Sequence, residues 1–380
     1  MYLLPKPKTI KEQDGQMLLC HSTHIVMTKE VAETEMHAAK RLQEAIRQET
    51  GLILPFSVGE VREGDLSLGI AKTLPEQTYE ITIDEKGGQI SGGDGAGVLY
   101  GVETFCQIVQ QCGGILPCVQ IQDAPDMPNR GYYFDQTRGR VLKLEELKKI
   151  ADRMCRYKLN QLQLYVEHTY LFRDFSEMWR DQTPLTAEEI RELDSYCRER
   201  HIELVPSLAS FGHLCTLLST KTYGDLCEME DSWKEPFSFW NRMRYHTINV
   251  SDERSLPLIK KMIAEYMQLF SSNKFNICAD ETFCLGKYKS KKLAEERGVH
   301  RLYIDYVKEL AQFLVENGKI PMFWGDIICA QPELIKELPE ETVCLTWGYA
   351  AEQREHEAKV MAEAGARQYL CPGVGGWNQW

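Results

Sequence analysis

From residue 131 onward, the sequence alternates between short apolar runs typical of β-strands and longer stretches with apolar residues at helical spacing. Seven runs predict strands: one begins at Phe275, and the others cover residues 131–134, 162–166, 202–208, 320–324, 343–347 and 368–371. Amphipathic patterns between them predict helices, for example at residues 144–155 and 302–314. This alternation predicts an α/β fold with a parallel sheet covered by helices.

Polar and aromatic residues follow most of the predicted strands. These residues are Asp135 and Arg138, Glu167 and His168, His213, Asp280 and Glu281, Trp324 and Asp326, Trp347, and Trp377. Candidate functional residues at the ends of so many strands favour a (β/α)8 TIM-type barrel. A doubly wound sheet is less consistent with them, because its ligands bind at a single crevice. The chain stops at Trp380, where an eighth unit would begin, so we expect a barrel that lacks its last βα unit.

The first 124 residues predict a separate accessory α/β domain. Residues 66–70 and 79–83 alternate as half-buried strands, and residues 98–111 show helical spacing. The glycine-rich residues 92–97 lack the Lys-Ser/Thr of a phosphate-binding loop, so tight turns are the better interpretation. A proline-containing connector, residues 123–128, leads into the barrel, and we therefore place the domains at 1–124 and 125–380.

Composition excludes several classes of partner. The net charge is −12 and no basic patch occurs, which argues against nucleic acid as a partner. No apolar run reaches the length of a membrane span, and residues 1–15 have no apolar signal-peptide core. The thirteen cysteines are scattered singly, without a zinc-type pattern. We expect a cytoplasmic protein with reduced thiols, no metal and no cofactor, and the oligomeric state stays open.

Asp280 and Glu281 are the candidate catalytic pair. They come directly after the predicted strand at Phe275, and barrel enzymes place their chemistry at the carboxyl ends of such strands. Adjacent acids also occur by chance or as helix caps, and residues 84–85 and 252–253 are further Asp-Glu pairs. The preceding strand is what favours a catalytic role.

The residues around this pair resemble a known family. The segments that carry the resemblance are Arg130–Asp135, Lys158–Asn160, Phe211–His213 and the Asp280–Glu281 strand. Together and in this order, they are similar to glycoside hydrolase family 20, the β-N-acetylhexosaminidases. Residues 79–125 resemble the accessory α/β domain of the same family, so the resemblance covers most of the chain.

The resemblance implies an exo-acting enzyme that removes terminal β-linked GlcNAc or GalNAc from a glycan. It implies a retaining mechanism in which the 2-acetamido oxygen of the substrate is the nucleophile, an exception to the two-carboxylate scheme. Glu281 would then be the general acid and later the general base. Asp280 would stay ionised, accept the acetamide N–H and balance the charge of the oxazolinium intermediate.

The resemblance also suggests residues that bind the sugar. Arg130 matches the arginine that holds sugar hydroxyls, although a salt bridge at a strand start is an alternative. Trp324, Trp347 and Trp377 are candidates for the walls of the acetamido pocket, and each could instead be a core residue. Further candidates for substrate contact, with structural hydrogen bonding as the alternative, are Tyr369, His213, Glu167, His168 and Asp326.

Three departures from the family pattern affect this interpretation. Asn276-Ile277-Cys278-Ala279 stands where the family commonly has His-x-Gly-Gly, so any proton-linked role of that histidine is lost or moved. Cys371 lies near the position of a family aspartate. The eighth-strand residues that contact the outer sugar hydroxyls have no counterpart before Trp380, so we expect weak or no activity from a chain of this length.

Two other functions remain open at this point. The chain could be a non-catalytic carbohydrate-binding protein or a truncated inactive homologue that keeps the fold. It could also be an ordinary two-carboxylate retaining glycosidase on the same barrel, with a second carboxylate roughly 5 to 9 Å from the acid, supplied by Asp135, Glu167 or Asp326.

Overall fold

The structure is a computed structural model that describes residues 1–236, 238–352 and 355–374. The chain forms two compact units. The first consists of Met1–Tyr132, Glu145–Gln161 and Ser195–Glu203. The second consists of Tyr133–Leu144, Leu162–Asp194 and the described part of residues 204–380. Each unit thus takes in three separate segments, and the domain boundary after residue 124 stays a prediction.

The first unit contains a mixed sheet of seven strands. The strands are β1 (Thr9–Leu18), β2 (Ile25–Met27), β3 (Phe56–Val58), β4 (Leu66–Ile70), β5 (Tyr79–Asp84), β6 (Gly87–Gly92) and β7 (Ile115–Asp123). Their order in the sheet is β1-β7-β5-β6-β4-β2-β3. Three helices lie between them in the chain: α1 (Lys29–Thr34), α2 (Met36–Thr50) and α3 (Gly95–Cys112).

Helix α3 is the central helix of the first unit, and it is buried from Ala96 to Val109. The carboxylate of Asp94 caps it by accepting a hydrogen bond from the backbone N–H of Gly97 (2.7 Å). A Cβ atom on Gly97 would stand 2.2 Å from the carbonyl oxygen of Thr78. Close packing therefore explains glycine at this position. Gly95 and Gly97 lie in the first turn of α3, and not in a tight turn as the sequence predicts.

The second sheet contains the seven strands that the sequence predicts after residue 130. They are β8 (Gly131–Asp135), β9 (Gln161–Val166), β10 (Glu203–Leu208), β11 (Lys274–Asn276), β12 (Ile320–Trp324), β13 (Val343–Gly348) and β14 (Arg367–Pro372). They lie in the sequential order β8 to β14, and the neighbours from β10 to β14 are parallel. This is the sheet of a TIM-type (β/α) domain. Within the described residues, β8 and β14 are its edges.

Nine α-helices lie after β8 in the described residues. They are α4 (Leu144–Arg156), α5 (Ser176–Trp179), α6 (Ala187–Arg198), α7 (Cys215–Leu218), α8 (Phe239–Arg244), α9 (Ser255–Met267), α10 (Lys291–Arg297), α11 (Val299–Glu316) and α12 (Glu355–Glu363). The backbone N–H of Glu189 donates to Thr186 Oγ1, and that of Thr186 donates to Glu189 Oε2. This reciprocal pair is a capping box at the start of α6.

The long connection between β10 and α9 positions part of the site described below. It holds α7, α8 and two short 3-10 helices, Gly224–Leu226 and Ser232–Lys234. Its described residues contain no strand, apart from an isolated bridge between Cys227 and Ile248. Among the helices that the structure describes, none is both long enough and apolar enough to cross a membrane.

Candidate active site

The end of β11 turns sharply before the carboxylate pair. Oδ1 of Asn276 accepts a hydrogen bond from the backbone N–H of Cys278 (2.8 Å), while its Nδ2 donates to Oε1 of Gln163 (3.0 Å). Cys278 and Ala279 then adopt left-handed conformations, with φ of 58° and 62°. Neighbouring side chains on a strand point to opposite faces. The turn removes this restriction, so that the two acids that follow can face the same group.

That shared group is His213, which the sequence also predicts as a site residue. Its Nε2 lies 3.4 Å from Oδ2 of Asp280 and 3.3 Å from Oε2 of Glu281. The His213 side chain is almost fully buried, whereas those of Asp280 and Glu281 are 18% and 27% exposed. The structure therefore brings three predicted residues together from the ends of β10 and β11, and the two acidic side chains keep part of their surface exposed.

The charges in this cluster fix its protonation near neutral pH. Burial lowers the pKa of His213, but the negative charge of Asp280 and the close contacts with both acids outweigh burial and raise the pKa to about 10. Burial raises the pKa of Asp280, yet the His213 cation more than compensates, and the net shift is downward. Asp280 is therefore an anion and His213 a cation at neutral pH.

Asp326 lies at the end of β12 and supports the loop of the pair. Its Oδ2 accepts a hydrogen bond from the backbone N–H of Glu281 (3.1 Å). Burial and the negative charge of Asp280 raise the pKa of Asp326 to about 7. A carboxyl group that holds its proton near neutrality can sit beside an ionised neighbour without full charge repulsion.

A second charged cluster occupies the ends of β8 and β9. Nε of Arg138 lies 2.7 Å from Oδ2 of Asp135 and 4.0 Å from Oε1 of Glu167. Nη2 of Arg242, from α8, lies 3.2 Å from Oε2 of Glu167. Burial raises the pKa of Glu167, but the two arginines outweigh it and the net shift is downward. Glu167 is therefore a buried, paired anion.

His168 is the predicted residue next to Glu167, and the structure gives it a hydrogen-bonding role. Its Nδ1 lies 3.2 Å from Oγ1 of Thr216 and 3.9 Å from Oε2 of Glu167. Burial lowers its pKa. These contacts agree with the structural alternative that the sequence leaves open for this histidine.

The aromatic candidates within the described residues share one face of the sheet. The register pairs Trp324 with Leu345 and Leu345 with Tyr369, and Trp347 is two residues beyond Leu345. Trp324 is buried and packs edge-on against Tyr133 at a centroid distance of 4.9 Å. Trp347 and Tyr369 are half-buried.

The third tryptophan candidate, Trp377, lies outside the residues that the structure describes.

Arg130 differs from the other candidates in its position relative to the strands. It precedes β8, whereas the site residues follow the strands. Its Nη1 and Nη2 donate to the side chains of Gln77 and Tyr100, and its Nε donates to the carbonyl oxygen of Lys158. The guanidinium is thus occupied by partners of the first unit, which supports the structural alternative, and the sugar contact of Arg130 stays a prediction.

The sequence analysis notes Arg138 after a predicted strand but does not select it as a sugar-binding residue, and it does not single out Arg242. Arg138 follows the end of β8 by three residues, so its position after a strand was a usable signal. Arg242 comes from the irregular connection between β10 and α9, where no periodic pattern indicates which side chains point inward. Arg138 is the positively charged residue of the cluster that follows the carboxyl end of β8.

Three of the site residues also have the spacing of a cation site. Atoms of His213, Asp280 and Glu281 that can bind metals lie within 4.8 Å of one another. Carboxylates at such distances are common without a metal, and the ion pairs with His213 already explain the arrangement.

Comparison with known families identifies the chain. Residues 128–374 match the family model "Glycosyl hydrolase family 20, catalytic domain", and residues 1–124 match "Glycosyl hydrolase family 20, domain 2". The chain belongs to glycosyl hydrolase family 20. This confirms the resemblance drawn from the sequence.

Curated family 20 relatives include a β-hexosaminidase of Porphyromonas gingivalis (strain ATCC BAA-308 / W83). It is 24% identical over 363 residues, which cover 86% of this chain and 45% of the relative. A β-hexosaminidase of Vibrio furnissii is 26% identical over 310 residues, covering 73% of this chain and 48% of the relative. The chain thus spans about half the length of these relatives.

Solved structures of the family share the fold. The β-N-acetylhexosaminidase from Bacteroides fragilis NCTC 9343 superposes with a TM-score of 0.78 at 19% identity, covering 97% of this chain and 75% of that one. The GH20 exo β-N-acetylglucosaminidase from Vibrio harveyi in complex with N-acetylglucosamine gives 0.78 at 20% identity, covering 98% and 60%. This similarity confirms the predicted accessory α/β domain followed by a TIM-type domain.

Proposed function

We propose that the protein is an exo-acting β-N-acetylhexosaminidase that removes terminal β-linked GlcNAc or GalNAc by a retaining, substrate-assisted reaction. The observation that carries the proposal is the contact of one buried histidine with both acids of the pair: His213 lies within 3.4 Å of Asp280 and Glu281. Membership of family 20 supports it, as do the names of the relatives, which are β-hexosaminidases.

The two acids have different tasks in this reaction. Glu281, the more exposed of the two, donates a proton to the leaving oxygen and later takes one from water. Asp280 stays ionised beside the His213 cation, accepts the acetamide N–H and stabilises the positive charge that develops on the oxazolinium ring. The left-handed turn before the pair lets both carboxylates serve one substrate.

The sugar-binding residues are part of the same proposal. Trp324, Trp347 and Tyr369 share one face of the sheet and are the proposed walls of the acetamido pocket. Asp326 holds the Glu281 backbone, and Arg138 is the proposed cation near the sugar hydroxyls in place of Arg130.

An ordinary two-carboxylate mechanism finds less support. Asp135 and Glu167 are buried and paired with Arg138, and Glu167 also pairs with Arg242. A carboxylate held in this way is a poor nucleophile for an anomeric carbon. Asp326, the remaining candidate, holds a proton up to about pH 7.

Hydrolysis of the 4-nitrophenyl β-glycosides of GlcNAc and GalNAc tests the activity. A thiazoline analogue of the bicyclic intermediate tests the mechanism, because it should bind far more tightly than free GlcNAc. Glucoside hydrolysis without N-acetylhexosaminide hydrolysis would contradict the substrate assignment. A covalent glycosyl adduct on Asp135, Glu167 or Asp326 after treatment with a 2-deoxy-2-fluoro glycoside would contradict the acetamido nucleophile.

A cytoplasmic location is also proposed. All thirteen cysteines lie in the described residues and are free thiols, as expected in a reducing compartment. Thiol counting after unfolding, on protein purified from its own cells without added reductant, tests this. Thirteen reactive thiols agree with the proposal, and disulfide-linked peptides contradict it.

A further inference from the structure

One side of helix α8 contacts the charged cluster formed by Arg138 and Glu167. Arg242 donates to Oε2 of Glu167 (3.2 Å), and the buried Met243 places its Sδ 3.4 Å from Nη1 of Arg138. Both contacts lie at the carboxyl ends of β8 and β9. The remaining side chains of this helix are therefore held at the rim of the candidate active site.

The other side of α8 presents an exposed aromatic and cationic surface. Trp240 and Arg244 are four residues apart and so lie on the same face of the helix. The guanidinium carbon of Arg244 lies 4.8 Å from the centre of the Trp240 ring and 5.9 Å from that of Phe283. Trp240 is 62% exposed and Phe283 is 39% exposed. We call these three residues the rim surface.

The rim surface is attached to the segment that carries the general acid. Phe283 follows Glu281 by two residues, and its backbone N–H donates to the Glu281 carbonyl oxygen (2.7 Å). The thiol of Cys284 donates to the carbonyl oxygen of Arg244 (3.0 Å). Since Glu281 protonates the glycosidic oxygen, the departing group must lie on the Glu281 side. The rim surface is exposed and is joined to the segment that carries Glu281.

In the part of the chain that the structure describes, no carboxylate lies within ion-pair distance of Arg244. This contrasts with Arg138 and Arg242, which both pair with carboxylates. The chain as a whole has 56 acidic and 44 basic residues, so an unpaired arginine between two exposed rings is available for an external anion. Aromatic faces suit the apolar side of a sugar ring, and guanidinium suits a carboxylate.

We propose that the rim surface binds the leaving group and selects substrates in which the terminal N-acetylhexosamine is β-linked to a hexuronic acid. The uronate ring stacks on Trp240 or Phe283, and its carboxylate pairs with Arg244. This inference rests on the proposed N-acetylhexosaminidase activity and adds the chemical class of the departing sugar.

The test compares kcat/KM for GlcNAc-β-1,4-glucuronate, for GlcNAc-β-1,4-GlcNAc and for the 4-nitrophenyl glycoside. Wild-type protein should prefer the acidic disaccharide. Arg244→Gln should lower kcat/KM for the acidic disaccharide roughly tenfold, since a charge pair is lost, and leave the neutral disaccharide within about twofold. Arg180→Gln, at another exposed arginine, is the matched control and should change none of the three.

Salt and stacking give two further measurements. Raising the salt concentration should reduce the wild-type preference for the acidic disaccharide, because screening weakens an exposed pair, and should have little effect on Arg244→Gln. Trp240→Ala should slow both disaccharides. The inference would be overturned if the wild-type protein had equal kcat/KM for the acidic and neutral disaccharides, or if Arg244→Gln lowered both values by the same factor. In either case, hydrolysis of the aryl glycoside would still support the proposed activity. Absence of aryl hydrolysis would instead overturn the proposed function.

Discussion

A Cβ atom on Gly212 would stand 2.6 Å from the backbone carbonyl oxygen of Asp280. Real Cβ atoms do not approach an oxygen so closely, so the loop after β10 can lie against the main chain of the carboxylate pair only because residue 212 has no side chain. The same loop supplies His213. This contact sets the distance between the histidine and the two acids.

Gly212→Ala should therefore reduce activity with little effect on the rest of the fold. The added methyl group must displace the backbone of Asp280, and a misplacement of about 1 Å can cost roughly a hundredfold in rate. We expect kcat for the 4-nitrophenyl glycoside to fall by about that factor. Gly114→Ala is the control, because its Cβ would meet only ordinary contacts. Equal activity of both variants would contradict the role given to this contact.

Glu281→Gln should cost several orders of magnitude in kcat/KM, and least on substrates with good leaving groups. Such groups depart without much help from a proton, so the loss of a general acid affects them less. A series of aryl glycosides with leaving groups of different pKa measures this. Asp280→Asn is the matched comparison, and its loss should be similar across the series. A constant loss for Glu281→Gln would sink the assignment of the general acid.

His213→Gln should shift the acid limb of the pH–rate profile to higher pH. In the wild-type protein, burial raises the pKa of Asp280, but the His213 cation lowers it by more than burial raises it, so the net shift is downward. Activity requires ionised Asp280 and is lost as the pH falls through its pKa. Removing the cation raises that pKa, so the loss should begin at a higher pH, seen in kcat/KM between pH 3 and pH 8. An unchanged acid limb would contradict the electrostatic role.

The sequence predicts the second sheet and the carboxylate pair because their signals are local. A buried parallel strand such as the one at Phe275 is an apolar run between polar residues, and its end marks the place of the acids. His213 was also predicted, although the sequence alone did not tell whether it contacts substrate or protein. The distances to Asp280 and Glu281 now give it a defined partner.

Other parts of the site depend on contacts that no local pattern reveals. Arg130 and Arg138 flank the same short strand, and the family resemblance favoured Arg130, whose partners come from the first unit. Arg242 reaches Glu167 from an irregular connection, so only the folded chain shows the contact. The exposed face of α8 is likewise a result of tertiary packing, since six residues are too few for a reliable periodic signal.

Ala279→Gly should stabilise the protein. Ala279 adopts φ 62°, a left-handed conformation that costs an L-residue about 1–2 kcal/mol and costs glycine nothing. The greater conformational entropy of glycine in the unfolded chain costs about 0.5–1 kcal/mol, so we expect a net gain between zero and about 1.5 kcal/mol in the free energy of unfolding. Ala264→Gly, in the ordinary helical backbone of α9, should lose about 1 kcal/mol. Urea unfolding of both variants measures the opposite signs, and a loss of stability in both would show that residue 279 is not strained.

Asp326→Asn should stabilise the protein above pH 7 and have little effect at low pH. Burial and the charge of Asp280 raise the pKa of Asp326 from 3.8 to about 7. A carboxyl group with a raised pKa contributes its full stability below pH 3.8, where both states are protonated. That contribution is lost as the pH rises through 7, because the folded protein must then hold the buried charge.

The asparagine variant avoids this loss, and its Oδ1 can still accept the hydrogen bond from the Glu281 backbone. One pKa unit corresponds to about 1.4 kcal/mol, so the gain at pH 8.5 should be of the order of 4 kcal/mol. Urea unfolding of wild type and variant at pH 4 and pH 8.5 measures this gain.

Asp65→Asn is not a suitable control, because its carboxylate accepts backbone hydrogen bonds from His24 and Arg62. Asp181→Asn, at an exposed carboxylate, is suitable and should show no such pH-dependent gain. A gain for Asp326→Asn that is the same at both pH values would mean that the carboxyl group does not titrate in this range, and that the negative charge of Asp280 does not reach it.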